Sequence, residues 1–112
     1  MAKVTRIEGL ADSKVLRHDD AALIERDEVR LVNTKVLVAH DDYAANEEGV
    51  YAYGLKEVKV PKAAVAITAG DKLYWDDTAK NFTNVVGTNT LCGTWLRDHI
   101  AGDTEGYAEL NQ

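Results

Sequence analysis

Two adjacent carboxylates, Asp76 and Asp77, are the residues of this sequence whose types and spacing come nearest to a catalytic pair. They follow a strand-like run, and paired carboxylates at such a place could bind a cation or act as the acid and base of a small hydrolase. Adjacent residues at the end of a strand point to opposite faces, however, which separates the two carboxylates. Asp and Asn also favour turns, and Asn81 follows closely. The pair therefore predicts an acidic β-turn, with a hydrolase as the alternative.

The other side chains that could hold a metal or act as nucleophiles are scattered. Residues 41–48 include four carboxylates but lack the alternating ligand spacing and central glycine of a calcium loop. The three histidines stand in no metal-binding spacing; they are His18, His40 and His99. The single cysteine, Cys92, lies in an apolar run, so we expect a buried, inert thiol and no disulfide within the chain. A phosphate-binding glycine loop and a nucleophile elbow are both missing. The sequence therefore predicts no enzyme, no cofactor and no metal site.

Length and charge narrow the class of protein further. A chain of 112 residues, 46% of them hydrophobic, suits a single domain with a small core. The formal net charge of -6 argues against nucleic acid as a partner, because phosphate binding needs clustered Lys and Arg. No apolar run approaches the roughly 18 residues of a membrane span, and the first residues lack the apolar core of a signal peptide. We expect a soluble protein, made in a cytoplasm, with no nucleic-acid or membrane partner.

The residue pattern predicts that the elements that position these residues are short β-strands. Val58 and Val60 alternate with polar residues, as Leu73 and Trp75 do, which is the period of a half-buried strand. Pro61 is placed to start a short helical turn. Strands recur at the spacing typical of barrels and sandwiches, seven or eight in all. The predicted fold is mainly β: a small single-domain β-barrel or sandwich with one short helical turn after Pro61.

The N-terminal quarter is less regular than the rest. Residues 3–7 alternate imperfectly, which fits a weak strand or a terminal arm that becomes ordered on a partner. Between Leu10 and Ile24 the apolar spacing is neither helical nor alternating, and we expect an irregular segment with room for one short helix. The predicted organisation is therefore an N-terminal arm and irregular segment over residues 1–26, followed by a β-barrel-like domain over residues 27–112.

Five aromatic residues alternate with other side chains inside the expected strands; they are Tyr51, Tyr53, Tyr74, Trp75 and Trp95. Because successive side chains of a strand point to opposite faces, some of these rings must face away from their neighbours. Exposed Trp and Tyr often form protein interfaces, where they supply large contact area. The alternative is a small barrel filled by its own aromatic rings, and the sequence leaves both open.

The later part of the chain carries motifs that are familiar as a set. They are Pro61-Lys62-Ala63-Ala64, Ala66 to Asp77, Asn89-Thr90-Leu91-Cys92-Gly93 and Gly102-Asp103. In their order and spacing the chain resembles the DUF2190 family, which consists of small phage-encoded capsid cement or decoration proteins. Residues 27–39 and 47–60 fit the earlier strands of the family more loosely. Residues 1–26 depart from its usual short, glycine-containing opening.

The resemblance implies a compact domain that binds the outside of a phage head at junctions between major capsid protein subunits and stabilises it. Such a protein binds without catalysis and often forms a homo-oligomer, and we expect a trimer rather than a dimer. Its expected place is the outer capsid surface of the virion. Because the N-terminus departs from the family, it is the expected place of capsid contact.

Two sets of contact residues follow as hypotheses. The capsid-contact arm is assigned to Lys3, Val4, Thr5, Arg6 and Ile7. The oligomer or surface contacts are assigned to the five aromatic residues above. A different function remains as an alternative, namely a knob on the head surface that binds host or mucosal glycans through Tyr51, Tyr53 or Trp75.

Overall fold

Ten β-strands make up the fold in the computed structural model, which describes residues 2–6 and 14–110. They are β1 (Thr5–Arg6), β2 (Lys14–Asp19), β3 (Val29–Val32), β4 (Lys35–Ala39), β5 (Glu48–Tyr53), β6 (Val58–Pro61), β7 (Lys72–Asp76), β8 (Asn81–Thr83), β9 (Thr90–Trp95) and β10 (Glu105–Leu110). Among these residues the structure has no helix, and so none that is long and apolar enough to cross a membrane.

The strands form two antiparallel sheets. One has six strands in the order β1-β6-β10-β9-β7-β8, and the other has four in the order β2-β5-β4-β3. A single parallel bridge between Lys62 and Phe82 brings β8 back towards the end of β6, so the larger sheet curls strongly without closing into a continuous barrel. The prediction of a mainly β, barrel-like or sandwich-like domain is confirmed.

One apolar core lies between the two sheets, built from alternate residues of their strands. The four-stranded sheet contributes Val29, Val36, Val38 and Ala52. The larger sheet contributes residues that include Val58, Val60, Leu73, Trp75, Cys92, Trp95 and Leu110. The alternating apolar residues that predict β6 and β7 as half-buried strands therefore all point into this core.

Gly93 occupies the middle of β9, where the sequence indicates a bulge or a close backbone approach. Both features are present. The register between β7 and β9 shifts between Leu73 and Tyr74. A Cβ atom at Gly93 would also overlap the carbonyl oxygen of Glu109 on β10, so the neighbouring strand fits only against glycine.

The short helical turn predicted after Pro61 is wrong. Pro61 is the last residue of β6, opposite Glu105. The backbone N–H groups that a helical turn would use bond to distant segments instead: Lys62 N donates to Thr104 O at 2.9 Å, and Ala63 N donates to Phe82 O at 2.8 Å. Tertiary pairing thus overrides the local preference of proline for the start of a helix.

The expectation of an irregular segment between Leu10 and Ile24 also needs correction. Residues Lys14–Asp19 form β2, which pairs along its whole length with β5. The strand lies at the edge of its sheet and is exposed over much of its length, so its sequence lacks clean alternation. The division at residue 26 into an arm and a domain stays a prediction.

Residues 2–5 connect the two sheets. Val4 N donates to Asp27 O at 3.0 Å, and Val29 N donates to Ala2 O at 2.9 Å, which adds this segment beside the start of β3. Directly afterwards, Thr5 pairs with Lys59 of β6. The N-terminal segment is therefore hydrogen-bonded to both layers of the fold.

Candidate functional site

The Asp76–Asp77 pair forms the turn between β7 and β8. Asp76 Oδ1 accepts hydrogen bonds from two backbone N–H groups of the turn, those of Thr78 and Ala79, both at 3.0 Å. Asp77 Oδ1 accepts one from Trp75 Nε1 at 2.9 Å. That indole bond is the main reason why the pKa of Asp77 lies below its ordinary value. The prediction of an acidic β-turn is confirmed, and both carboxylates are engaged in holding the turn.

The acidic loop between β4 and β5 uses its carboxylates in the same way. Asp42 Oδ1 accepts a hydrogen bond from Arg26 N at 2.7 Å, and Glu47 Oε1 accepts one from Ala44 N at 2.8 Å. Within residues 2–6 and 14–110, His, Cys, Asp and Glu side chains form no group of three or more that could hold a metal ion. The Glu47 bond holds the loop to its own backbone, and the Asp42 bond ties it to the segment between β2 and β3.

The histidines lie in separate surroundings. His99 Nε2 accepts a hydrogen bond from Tyr107 N at 3.2 Å, and its Nδ1 lies 3.4 Å from Asp103 Oδ2. His18 belongs to the other sheet, with its Nε2 at 3.4 Å from Asp20 Oδ2. The rings of His99 and His18 thus each lie beside an Asp carboxylate.

Cys92 faces the core, and burial raises the pKa of its thiol to about 12. Its Sγ lies 3.5 Å from the carbonyl oxygen of Leu73. Because the thiolate is the reactive form, this thiol is unreactive at neutral pH, and the expectation of a buried, inert cysteine is confirmed.

The predicted capsid-contact arm is packed against the fold as far as the structure describes it. Val4 is buried in the main core, and Thr5 and Arg6 form β1 against β6. Lys3 is exposed and makes an ion pair with Glu25 at 3.3 Å. Ile7 lies outside the described residues. The side chains of Lys3 and Thr5 are exposed, and contact of the arm with a capsid stays a prediction.

Three of the five predicted surface aromatics are fully buried. Trp75 and Trp95 lie in the main core, where Trp95 Nε1 donates to Thr83 O at 3.1 Å. Tyr51 lies in a second cluster on the opposite face of the four-stranded sheet. For these three rings, packing inside the chain is what the structure shows. A glycan-binding face through Tyr51 or Trp75 therefore lacks the exposed ring that it needs.

The two remaining aromatics lie nearer the surface. Tyr53 is half-buried, and Lys35 Nζ lies 5.2 Å from the centre of its ring. Tyr74 is 9% exposed and belongs to neither apolar cluster, because its neighbours Leu73 and Trp75 take the core face of β7. Both rings stay candidates for contact with a partner.

Sequence reasoning misses a charged cluster on the outer face of the four-stranded sheet. Arg30 of β3 binds Asp20 at two points, each N···O distance being 3.0 Å, and Glu28 Oε2 lies 3.6 Å from Arg30. Burial opposes the ionisation of Asp20, but hydrogen bonds from Ala22 N and Arg30 outweigh it and hold the pKa of Asp20 below its ordinary value. Local spacing gives no signal for the contact between Asp20 and Arg30, because it forms only when the loop after β2 folds across the outer face of the sheet.

Tyr51 lies beside this charged cluster. Its hydroxyl is buried and has no hydrogen-bond partner among the residues that the structure describes. Burial raises the pKa of Tyr51 to about 12. The ring is therefore a neutral part of the second apolar cluster, which it shares with Ile24, Leu37 and Ala39.

A short crossover connection links the two strands that neighbour β7. Strands β8 and β9 flank β7 on opposite sides, and both are antiparallel to it. Residues 84–89 must therefore pass from one side of β7 to the other. Val85 and Val86 on this connection are 53% and 60% exposed, and Leu91 at the start of β9 is 52% exposed. Sequence reasoning does not single out these three apolar side chains.

Comparison with known proteins gives one match. A family model described as phage cement protein matches residues 10–110, which is nearly all of the chain and includes strands β2 to β10. Among curated proteins and among solved structures, nothing matches.

Proposed function

The chain belongs to the phage cement protein family, and from this premise we propose that it binds the outer surface of the phage head at junctions between major capsid protein subunits and stabilises the shell. The observation that carries the proposal is the family match over residues 10–110. The DUF2190 resemblance is compatible with it. The proposal also includes assembly into a homo-oligomer, a trimer rather than a dimer, and synthesis in the cytoplasm of the host before attachment to the virion.

The chemistry of the described residues supports binding over catalysis. Asp76 and Asp77 are committed to their turn, and Cys92 is buried. The β4–β5 loop is likewise held by hydrogen bonds from backbone N–H groups, that of Arg26 to Asp42 and that of Ala44 to Glu47. A domain fixed in this way loses little freedom when it binds, which favours a clamp between neighbouring subunits. Several copies joined as an oligomer would also be retained more strongly than one, because they engage repeated sites together.

We assign part of the capsid contact to the N-terminal segment, in which buried and exposed residues have different roles. Val4 is buried and anchors the segment to the core, while the exposed side chains of Lys3 and Thr5 are free to reach a partner surface. The ion pair of Lys3 with Glu25 is exposed on both sides, so exchanging it for a capsid contact costs little.

The direct experiment mixes the purified protein with mature capsids that lack it and measures the bound protein after sedimentation. The expected result is binding that saturates at a fixed number of copies per capsid and raises the temperature at which the shell opens. Failure of the folded protein to bind such capsids would overturn the function.

The arm assignment has its own test. Lys3→Glu should weaken capsid binding several-fold, whereas the matched change Lys56→Glu, at an exposed lysine of another loop, should leave it unaltered. Equal binding by the two variants would remove the N-terminal segment from the contact while leaving the function intact.

A further inference from the structure

Charge is distributed very unevenly along this chain. Residues 81–96 contain no Asp, Glu, Lys, Arg or His, although 29% of the whole sequence is charged. Residues 63–70 are uncharged as well. All 13 basic and 19 acidic residues lie elsewhere. Such stretches are ordinary inside a core, but parts of both are exposed.

The two uncharged segments meet at the surface. Asn84 Nδ2 donates a hydrogen bond to Ala66 O at 3.1 Å and another to Asp71 Oδ2 at 2.9 Å, which fixes the crossover connection beside the segment that follows β6. Six of their exposed residues make up what we term the charge-free surface: Ala64, Ala66, Val85, Val86, Thr88 and Leu91.

The charge-free surface shares one property with the core of an interface, namely the lack of charged side chains. Interface cores are depleted of charged residues, because each buried charge must be stripped of water and paired again. Ala, Val and Thr also have few rotamers to lose when a partner covers them. On a protein with a net charge of -6, burying this surface against a partner therefore costs less desolvation free energy than burying a charged part of the surface.

We propose that the charge-free surface is where copies of this chain contact one another. Two copies that each carry a net charge of -6 repel, and contact through a face without charge avoids placing like charges together. Interfaces between identical subunits are also more apolar than those between separately folded, non-obligate partners. The inference rests on the proposed function in that self-association belongs to it, yet it is tested without any capsid.

The exposed edge of β2 is a less suitable surface for self-association. It runs along Lys14–Asp19, a strand in which four of six side chains are ionisable. Charged side chains on an edge strand hinder the pairing of that edge with another chain. The charge-free surface has no charged side chains that would hinder contact in this way.

The test measures the mass of the protein in solution by light scattering over a series of concentrations. Wild type should have a mass that is a multiple of the 12.3 kDa chain. The double variant Val85→Asp/Val86→Asp should fall to 12.3 kDa, because each contact would then bury new negative charges. Ala66→Arg, on the other segment, should lower the mass independently. Near-ultraviolet circular dichroism checks that the variants remain folded.

Leu23→Asp serves as the control, because Leu23 is 67% exposed and lies in the loop after β2, which covers the other sheet. Its mass should remain that of wild type. A wild-type mass of 12.3 kDa at all concentrations overturns the inference, and so does an unchanged mass in both surface variants. Variants that lose capsid binding without any change in mass would assign the surface to the capsid and also overturn it. None of these outcomes affects binding of the wild-type protein to capsids, which tests the proposed function separately.

Discussion

Arg30 and Asp20 lie ten positions apart in the sequence and meet side by side, with two N···O distances of 3.0 Å. Arg30 belongs to β3 and Asp20 follows β2, and these are the two edge strands of the four-stranded sheet. Their ion pair therefore spans the outer face of that sheet, over the cluster that contains Tyr51.

Replacing Arg30 should destabilise the fold. Arg30→Met removes the charged partner of Asp20 and Glu28, both largely buried, and we expect a loss of about 1–3 kcal/mol in the free energy of unfolding. Arg17→Met is the control, because its ion pair with Glu48 is exposed and is worth about 0–1 kcal/mol. Urea unfolding followed by tryptophan fluorescence measures both, and equal midpoints for the two variants would contradict the role of the Arg30 pair.

The stability of the protein should fall at acid pH, in part through Asp20. Its pKa in the folded state lies below the ordinary value of 3.8, so the unfolded chain takes up a proton first as the pH falls. The stabilisation is therefore present above pH 3.8 and is lost as the pH falls through the folded-state pKa. Asp20→Asn should be less stable than wild type at about pH 7. It should also lose less stability than wild type when the pH falls from about 5 to about 3.

The same slope in Asp20→Asn and wild type would exclude this carboxyl as a source of the acid sensitivity. A residual slope is expected in the variant, because the pKa values of Asp71 and Asp77 are also lowered.

Two tyrosines of the second cluster, Tyr51 and Tyr43, should respond differently to loss of their hydroxyl groups. The buried hydroxyl of Tyr51 has no partner in the part of the chain that the structure describes, so Tyr51→Phe should leave stability unchanged or raise it by up to about 1 kcal/mol. Tyr43→Phe removes a hydroxyl that accepts from Val50 N at 2.9 Å and donates to Val50 O at 3.2 Å, at a cost of about 0.5–1.5 kcal/mol per bond.

Thermal unfolding of both variants decides between these expectations. If Tyr51→Phe loses as much stability as Tyr43→Phe, the expectation that the Tyr51 hydroxyl lacks a hydrogen-bond partner is wrong.

Val4 should matter for stability, although it belongs to the segment predicted as a capsid-contact arm. Val4→Ala leaves a small cavity in the main core, and we expect a loss of about 2 kcal/mol in the free energy of unfolding. Thr5→Ala, at the next and exposed position, should change stability by about 0.5 kcal/mol at most. Equal effects in urea unfolding would show that Val4 does not anchor the segment.

The sequence predicts those strands in which one face is buried and the other is more exposed to solvent. Val58 and Val60, with Leu73 and Trp75, identify β6 and β7 because their alternation follows a single core. Strand β2 escapes prediction because an exposed edge imposes little alternation. The proline rule fails at Pro61 because distant strands bind the donors that a helical turn would use.

Contact surfaces are harder to predict than strands, for a different reason. Alternation places Tyr51 opposite Ala52, but it does not tell whether loops cover the second face of the sheet, and here residues such as Ile24 and Tyr43 do so. Alternation likewise does not predict the low exposure of Tyr74. The turn role of Asp76 and Asp77 is predictable because it depends on neighbours in sequence alone.

The double attachment of residues 2–5 has a consequence for the order in which the protein folds during synthesis. This segment leaves the ribosome early, but its partners Asp27, Val29 and Lys59 follow much later. Until β6 has been made, residues 2–5 can pair only beside the start of β3, and their connection to the six-stranded sheet is missing. Residues 2–5 therefore lack part of their hydrogen bonds until Lys59 has been made, and they join the two layers only then.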